Sequence, residues 1–133
     1  MPTEVEMVLR LLVAAALGAA IGYQRERAKK PAGLRTHILI CMGAALLTLV
    51  SIYGFGASAD PSRVAAGMVA GIGFLGAGAI LHREGGMVEG LTTAATIWTV
   101  AAIGLAAGAG LYLISAVTTA VVLIVLFLPH PIR

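Results

Sequence analysis

Five apolar stretches divide this sequence, each close to the roughly 20 residues a helix needs to cross a bilayer. They cover about 5–23, 36–55, 63–81, 90–107 and 111–128. Between them lie short polar loops, and the last two are parted only by Gly108-Ala109-Gly110. Two glycines flanking one alanine make a turn there the easiest reading, and an unbroken helix through both stretches would exceed any bilayer.

Composition closes off the soluble alternative. Charged residues make up 11% of the 133, against roughly 25% in ordinary globular domains. Hydrophobic residues make up 59%, and mean hydropathy is +0.99. A water-exposed domain of this size needs more polar surface than that. The expected fold is all-α: a polytopic transmembrane bundle of about five helices, one domain over 1–133, with no soluble C-terminal domain after it. Arg10 and the apolar run to Ala20 resemble a signal peptide, but Glu4 and Glu6 spoil a basic leader and the sequence begins at Met1. The stretch is read as a retained first helix. Cys41 has no intrachain partner and reads as a small buried hydrophobe.

Orientation follows from the basic residues near the segment ends. One side receives Arg25, Arg27, Lys29, Lys30, Arg35, Arg83 and Arg133, and the other only Arg10 and Arg63. Seven against two places the N-terminus outside and the C-terminus in the cytoplasm. No basic face on a soluble fold is available, so nucleic acid is not expected as a partner.

Small residues recur at helical spacing. Gly18 and Gly22 are four apart, as are Gly67 and Gly71, and Gly104 and Gly108. Glycine lets membrane helices approach closely where no hydrophobic drive exists between them. In the third helix Gly73 and Gly76 fall opposite the face of Gly67, Gly71 and Gly78. That helix is therefore expected at the centre, contacted on two sides, with a homodimer as the other use of such faces. Residues 71–76 spell G-x-G-x-x-G, but a dinucleotide site needs a preceding strand and an aqueous crevice. Local unwinding of the glycine run would instead expose carbonyls, as in transporters. Thr92, Thr96 and Thr99 share a face of the fourth helix. Their hydroxyls either bond back to the helix and its neighbours or line a solute path.

Ionisable groups at mid-span are almost absent. Glu6, Arg10, Asp60 and Arg63, with Glu4, gather near the outer interface. Glu6 and Arg10 stand four apart in the favourable order, Asp60-Pro61 reads as a helix cap, and Arg63 has acidic neighbours to pair with. On the cytoplasmic side stand Glu26, Glu84, Glu89, His37 and His82. The histidines read as interfacial polar tips rather than metal ligands. No cofactor is expected; Mg2+, which takes few carboxylates and keeps its waters, is the ion such acids would suit. No nucleophile–base pair, phosphate loop or metal motif supports an enzyme.

Three motifs together resemble the MgtC/SapB family. The loop Gly22–His37 is similar to its first cytoplasmic loop, Gly71–Ile80 to its glycine-rich third helix, and Gly90–Trp98 to the start of its fourth. They occur in the same order and span the chain. The resemblance implies a bacterial inner-membrane protein linked to magnesium limitation and, in some members, to survival inside host cells. It also implies a membrane protein partner, in some members the membrane sector of the ATP synthase. Within the shared loop, Arg25, Glu26, Arg27, Lys30, Pro31, Gly33, Arg35 and His37 are the contact candidates, toward lipid phosphate or a protein. Pro31 is expected to stop the first helix and Gly33 to permit the turn.

Two functions follow. One is a non-catalytic membrane regulator acting through helix and loop contacts. The other is a Mg2+ channel or carrier with a path along the third and fourth helices. A continuous third helix packed tightly by its neighbours favours the first, and an unwound stretch lining a hydrated cavity favours the second. The charge count carries its own prediction: a cysteine at Lys30 reacts with an impermeant thiol reagent only from the cytoplasmic side, and outward labelling overturns the topology.

Overall fold

A computed structural model describes residues 2–81 and 87–129, with side chains for 2–80 and 90–129. Five helices follow in order: α1 (Glu4–Arg27), α2 (Leu34–Tyr53), α3 (Ser62–Leu81), α4 (Met87–Gly108) and α5 (Tyr112–Leu126). Four of them, α1 to α4, are long and apolar enough to cross a membrane. With 15 residues, α5 reaches about 22 Å at 1.5 Å per residue, shorter than the expected 111–128 and less than the ~30 Å hydrocarbon core.

The first helix runs further than its apolar stretch. It continues through Gln24, Arg25, Glu26 and Arg27, residues the sequence assigns to the loop. It ends where the Lys30 amide donates to the Arg25 carbonyl and the Lys29 amide to that of Glu26, both at 3.0 Å. This is the Schellman arrangement, which requires a left-handed residue at the turn. Lys29 supplies it with φ 58°, and Ala32 follows with φ 57°. Pro31 therefore lies beyond the stop, and Gly33, at φ −96°, is not the left-handed residue. Its missing side chain instead leaves room for the Glu26 carboxylate, which a Cβ at Gly33 would strike. That carboxylate accepts from the Leu34 amide at 2.9 Å and starts α2.

The same arrangement closes α4. The Leu111 amide donates to Ala106 and the Gly110 amide to Ala107, with Gly110 at φ +89°. The turn expected between the last two stretches is there.

The centre of the bundle is α4. It packs against all four other helices, whereas among the described residues α3 touches only α4 and α2. The tightest core, Ala14, Ile21, Cys41, Ala45, Val100, Ile103 and Ala107, comes from α1, α2 and α4. Four glycines let their backbones meet. A Cβ on Gly18 would lie 2.6 Å from the His37 carbonyl oxygen, one on Gly22 2.8 Å from Leu34 Cα, and one on Gly108 2.6 Å from the Ala45 carbonyl oxygen. One on Gly104 would collide with the Cys41 carbonyl.

The expectation for the third helix is overturned. α3 is continuous and peripheral, and through Ile80 its one buried position is Gly76, in ordinary contact with Ala94. A Cβ on Gly67, Gly71, Gly73 or Gly78 would meet nothing within 4 Å. Glycine spacing marks a flat helix surface; it does not say what covers it.

Gly104→Ala is accordingly expected to destabilise the detergent-solubilised protein by about 1–3 kcal/mol, the usual cost of overpacking, while Gly67→Ala leaves the unfolding midpoint in place. Equal effects in thermal unfolding would contradict the assignment of α4 as the centre.

Candidate functional site

Two buried arginines of α1 stand at opposite ends of the bundle. At one end Arg10 is buried and donates through Nη1 to the Gly108 carbonyl at 3.0 Å and to the Tyr53 hydroxyl at 3.2 Å. Its Nε donates to Glu6 Oε2 at 3.2 Å. The Tyr112 hydroxyl donates to the same carboxylate oxygen at 2.7 Å. The cluster thus joins α1, α2, α4 and α5. Gly110 leaves space for it, since a Cβ there would lie 2.9 Å from an Arg10 nitrogen. The guanidinium also meets the carbonyl end of α4, where the helix dipole favours a cation.

Of the four residues expected to form an outer charge cluster, the structure brings together Glu6 and Arg10. Asp60 turns to its own loop, where Oδ1 accepts from the Ser62 amide at 2.9 Å and hydroxyl at 2.8 Å. This is the cap expected for α3. The Ser62 amide, then its hydroxyl, hold the Asp60 carboxyl below the ordinary aspartate range. Arg63 is exposed and, among the described residues, is not brought within ion-pair distance of Glu4, Glu6 or Asp60.

At the other end Arg25 is also buried. Its Nη2 donates to Thr93 Oγ1 at 2.6 Å, across 68 positions of sequence. His37, expected as an interfacial tip, is fully buried. Its Nδ1 lies 2.9 Å from the Gly33 carbonyl oxygen, and Nε2 is enclosed with no hydrogen-bond partner among the described residues. The ring is covered because α1 comes so close at Gly18 and Gly22. The remaining loop residues part company. Arg27 and Arg35 are exposed, with Arg27 donating to the Tyr23 hydroxyl at 3.0 Å. Glu26 caps α2, and Lys30 and Pro31 are half-buried. His82, Glu84 and the Glu89 side chain lie outside the described residues. Among those described, no three His, Cys, Asp or Glu stand where they could hold a metal ion.

The threonine face bonds to its own helix. Thr96 Oγ1 donates to the Thr92 carbonyl and Thr99 Oγ1 to that of Ala95, both at 2.8 Å. Thr93, which sequence reasoning passed over, carries the interhelical bond. Tyr53 and Tyr112 were also missed, although an aromatic hydroxyl at the end of a span is a recognisable interfacial signal.

A third feature is a groove. Between α2 and α3 lies an open apolar channel of about 600 Å³, lined by Leu39, Gly43, Leu47, Gly67, Met68 and Gly71 among others. A Cβ on Gly43 would also meet nothing within 4 Å, so both walls present bare backbone.

Thr93→Val keeps the volume of the side chain and removes the acceptor from a buried guanidinium. It is expected to cost about 1–3 kcal/mol, read as a lowered unfolding midpoint, whereas Thr99→Val, at the half-exposed end of the threonine face, leaves that midpoint near its original value.

The protein is 48% identical over 132 residues to the "Putative magnesium transporter YhiD" of Escherichia coli strain K12, covering 94% of this chain and 61% of that protein. It is 40% identical to "Protein SapB" of Bacillus subtilis, over 96% of this chain and 59% of the relative. Against "Protein MgtC" of Brucella abortus strain 2308 the identity is 47%, over 87% and 48%. The chain thus spans about half to two thirds of the length of these curated relatives. No solved structure matches it. With the MgtC family model matching residues 11–133, a helical membrane protein of this sequence belongs to the MgtC family.

Proposed function

We propose that this chain is a non-catalytic membrane regulator in the bacterial inner membrane, tied to Mg2+ limitation, and that it acts by receiving a transmembrane helix of a partner in the α2/α3 groove. The open groove itself carries the reading. Its walls are apolar, and Gly43, Gly67 and Gly71 leave backbone uncovered. In lipid such a surface binds another helix by close van der Waals packing, since tails offer no competing hydrophobic drive. The partner class is therefore a membrane protein with an accessible helix. The membrane sector of an ATP synthase is one such protein, suggested by the family resemblance, and a second copy of this chain is another.

Transport of Mg2+ is the competing reading, and the name of the Escherichia coli relative points to it. Three observations weigh against it. α3 runs unbroken from Ser62 to Leu81. Thr96, the middle residue of the threonine face, is buried in the bundle and bonded to its own helix. The groove is walled by aliphatic side chains, which offer a dehydrating cation no ligands. Against the regulator stands one departure from expectation: α3 is continuous but not tightly packed, and in this reading its free face is where the partner packs.

Purified protein in liposomes is expected to pass no more Mg2+ than empty vesicles. Saturable flux abolished by Thr96→Val or Gly73→Leu would overturn the proposal. In cells, Gly67→Leu combined with Gly71→Leu is expected to fill the groove, leave folding intact, and remove the protein's effect on growth at limiting Mg2+.

A further inference from the structure

A second crevice lies on other helices, between the C-terminal ends of α1 and α5. Its volume is about 630 Å³, and its walls are Ala20, Tyr23, Gln24 and Arg27 of α1, Ala28 beyond it, and Leu123 and Phe127 from α5 and its cap. One end is apolar and the other is cationic. Phe127 is largely exposed along the apolar side. At the mouth, Arg27 Nη1 donates to the Tyr23 hydroxyl at 3.0 Å, and the guanidinium lies over the Tyr23 ring, 5.8 Å from its centroid. These contacts hold the cation in place while using one of its five N–H donors. The nearest acid in sequence, Glu26, is turned away to the Leu34 amide, so it does not cancel the charge.

Gln24 adds a second observation. Its side-chain carbonyl oxygen is buried and, among the described residues, has no hydrogen-bond partner. A covered amide oxygen left unsatisfied is costly, so an occupant that donates to it is favoured. The last torsion of glutamine is soft, and the oxygen can swing toward the crevice without leaving a rotamer.

We propose that this crevice binds one anionic phospholipid, phosphatidylglycerol, with its phosphate on Arg27, a glycerol hydroxyl of its headgroup donating to Gln24 Oε1, and an acyl chain along Leu123 and Phe127. Each part of the lipid meets the chemistry it needs. The phosphate meets a guanidinium whose fork geometry suits it. The hydroxyl meets an acceptor that lacks a donor, and the chain meets an apolar wall. The position suits it too, because α1 leaves its apolar stretch at this level, where lipid headgroups lie. The site is independent of the α2/α3 groove and stands or falls separately from the regulator reading.

Native mass spectrometry of the full chain, released from micelles supplied with palmitoyl-oleoyl phosphatidylglycerol, phosphatidylethanolamine or phosphatidylcholine, tests it. One phosphatidylglycerol is expected to be retained about tenfold more than either zwitterionic lipid, because all three bring a phosphate but only phosphatidylglycerol brings it without a headgroup cation to oppose Arg27. Arg27→Gln brings retention down to the phosphatidylcholine level, and Gln24→Leu lowers it several-fold. Lys29→Gln leaves it unchanged. Circular dichroism confirms that each variant keeps its helix content. Equal retention of all three lipids, or of phosphatidylglycerol by wild type and Arg27→Gln, overturns the proposal. Full displacement by free glycerol 1-phosphate overturns it too, by making the site one for soluble phosphate.

Discussion

Everything in this bundle rests on how closely α2 is approached from two sides. α1 reaches it through Gly18 and Gly22, and α4 through Gly104 and Gly108, each with a hydrogen where a methyl group would collide. In water such contacts would add to a hydrophobic core. In lipid they largely replace it, because an apolar side chain gains little by leaving lipid tails for a protein interior. Van der Waals contact between backbones is what remains, and it needs atoms within reach. Four of the seven residues in the tightest core are small for the same reason: Ala14, Cys41, Ala45 and Ala107.

Much of this was legible from hydropathy and glycine spacing. Five apolar stretches became five helices, and the pairs Gly18/Gly22 and Gly104/Gly108 became contact faces. The same reasoning failed on α3, whose glycine pattern is at least as strong. Spacing shows that a helix surface is flat, and a flat surface serves equally a neighbour in the same chain and one outside it. The end of α1 was misplaced because Lys29 adopts the left-handed conformation that usually marks a glycine. His37 was misplaced because its burial depends on how near α1 comes, which no local pattern records. The bond from Arg25 to Thr93 joins residues 68 apart, and nothing in either neighbourhood announces it.

The two arginines of α1 show how charge is used where it is expensive. Charged groups within a membrane protein face its interior and find partners there. Arg10 and Arg25 lie 15 positions apart on one helix, about 22 Å at 1.5 Å per residue, and each reaches α4. Arg10 meets the end where carbonyls lack helical partners, so one cation satisfies a backbone acceptor, a tyrosine and a carboxylate together. At the other end the dipole of α4 has the opposite sign, and the contact is with a side-chain hydroxyl instead.

These anchors also explain why the bundle can leave one helix nearly bare. α1, α2 and α4 are held by backbone contact along their length and by α1 arginines near both ends of α4, and α5 is tied in through Tyr112. α3 has no such link among the described residues beyond its contacts with α4 and the α2 end, where Ser51 donates to the Pro61 carbonyl at 2.7 Å. A helix fastened mainly along one edge can shift without breaking the core, because local stability follows local contacts. The groove beside it is then the place where an incoming helix would gain contact while disturbing least. Rigid core and open flank are two results of one distribution of small residues, covered in α1 and α4 and uncovered in α3.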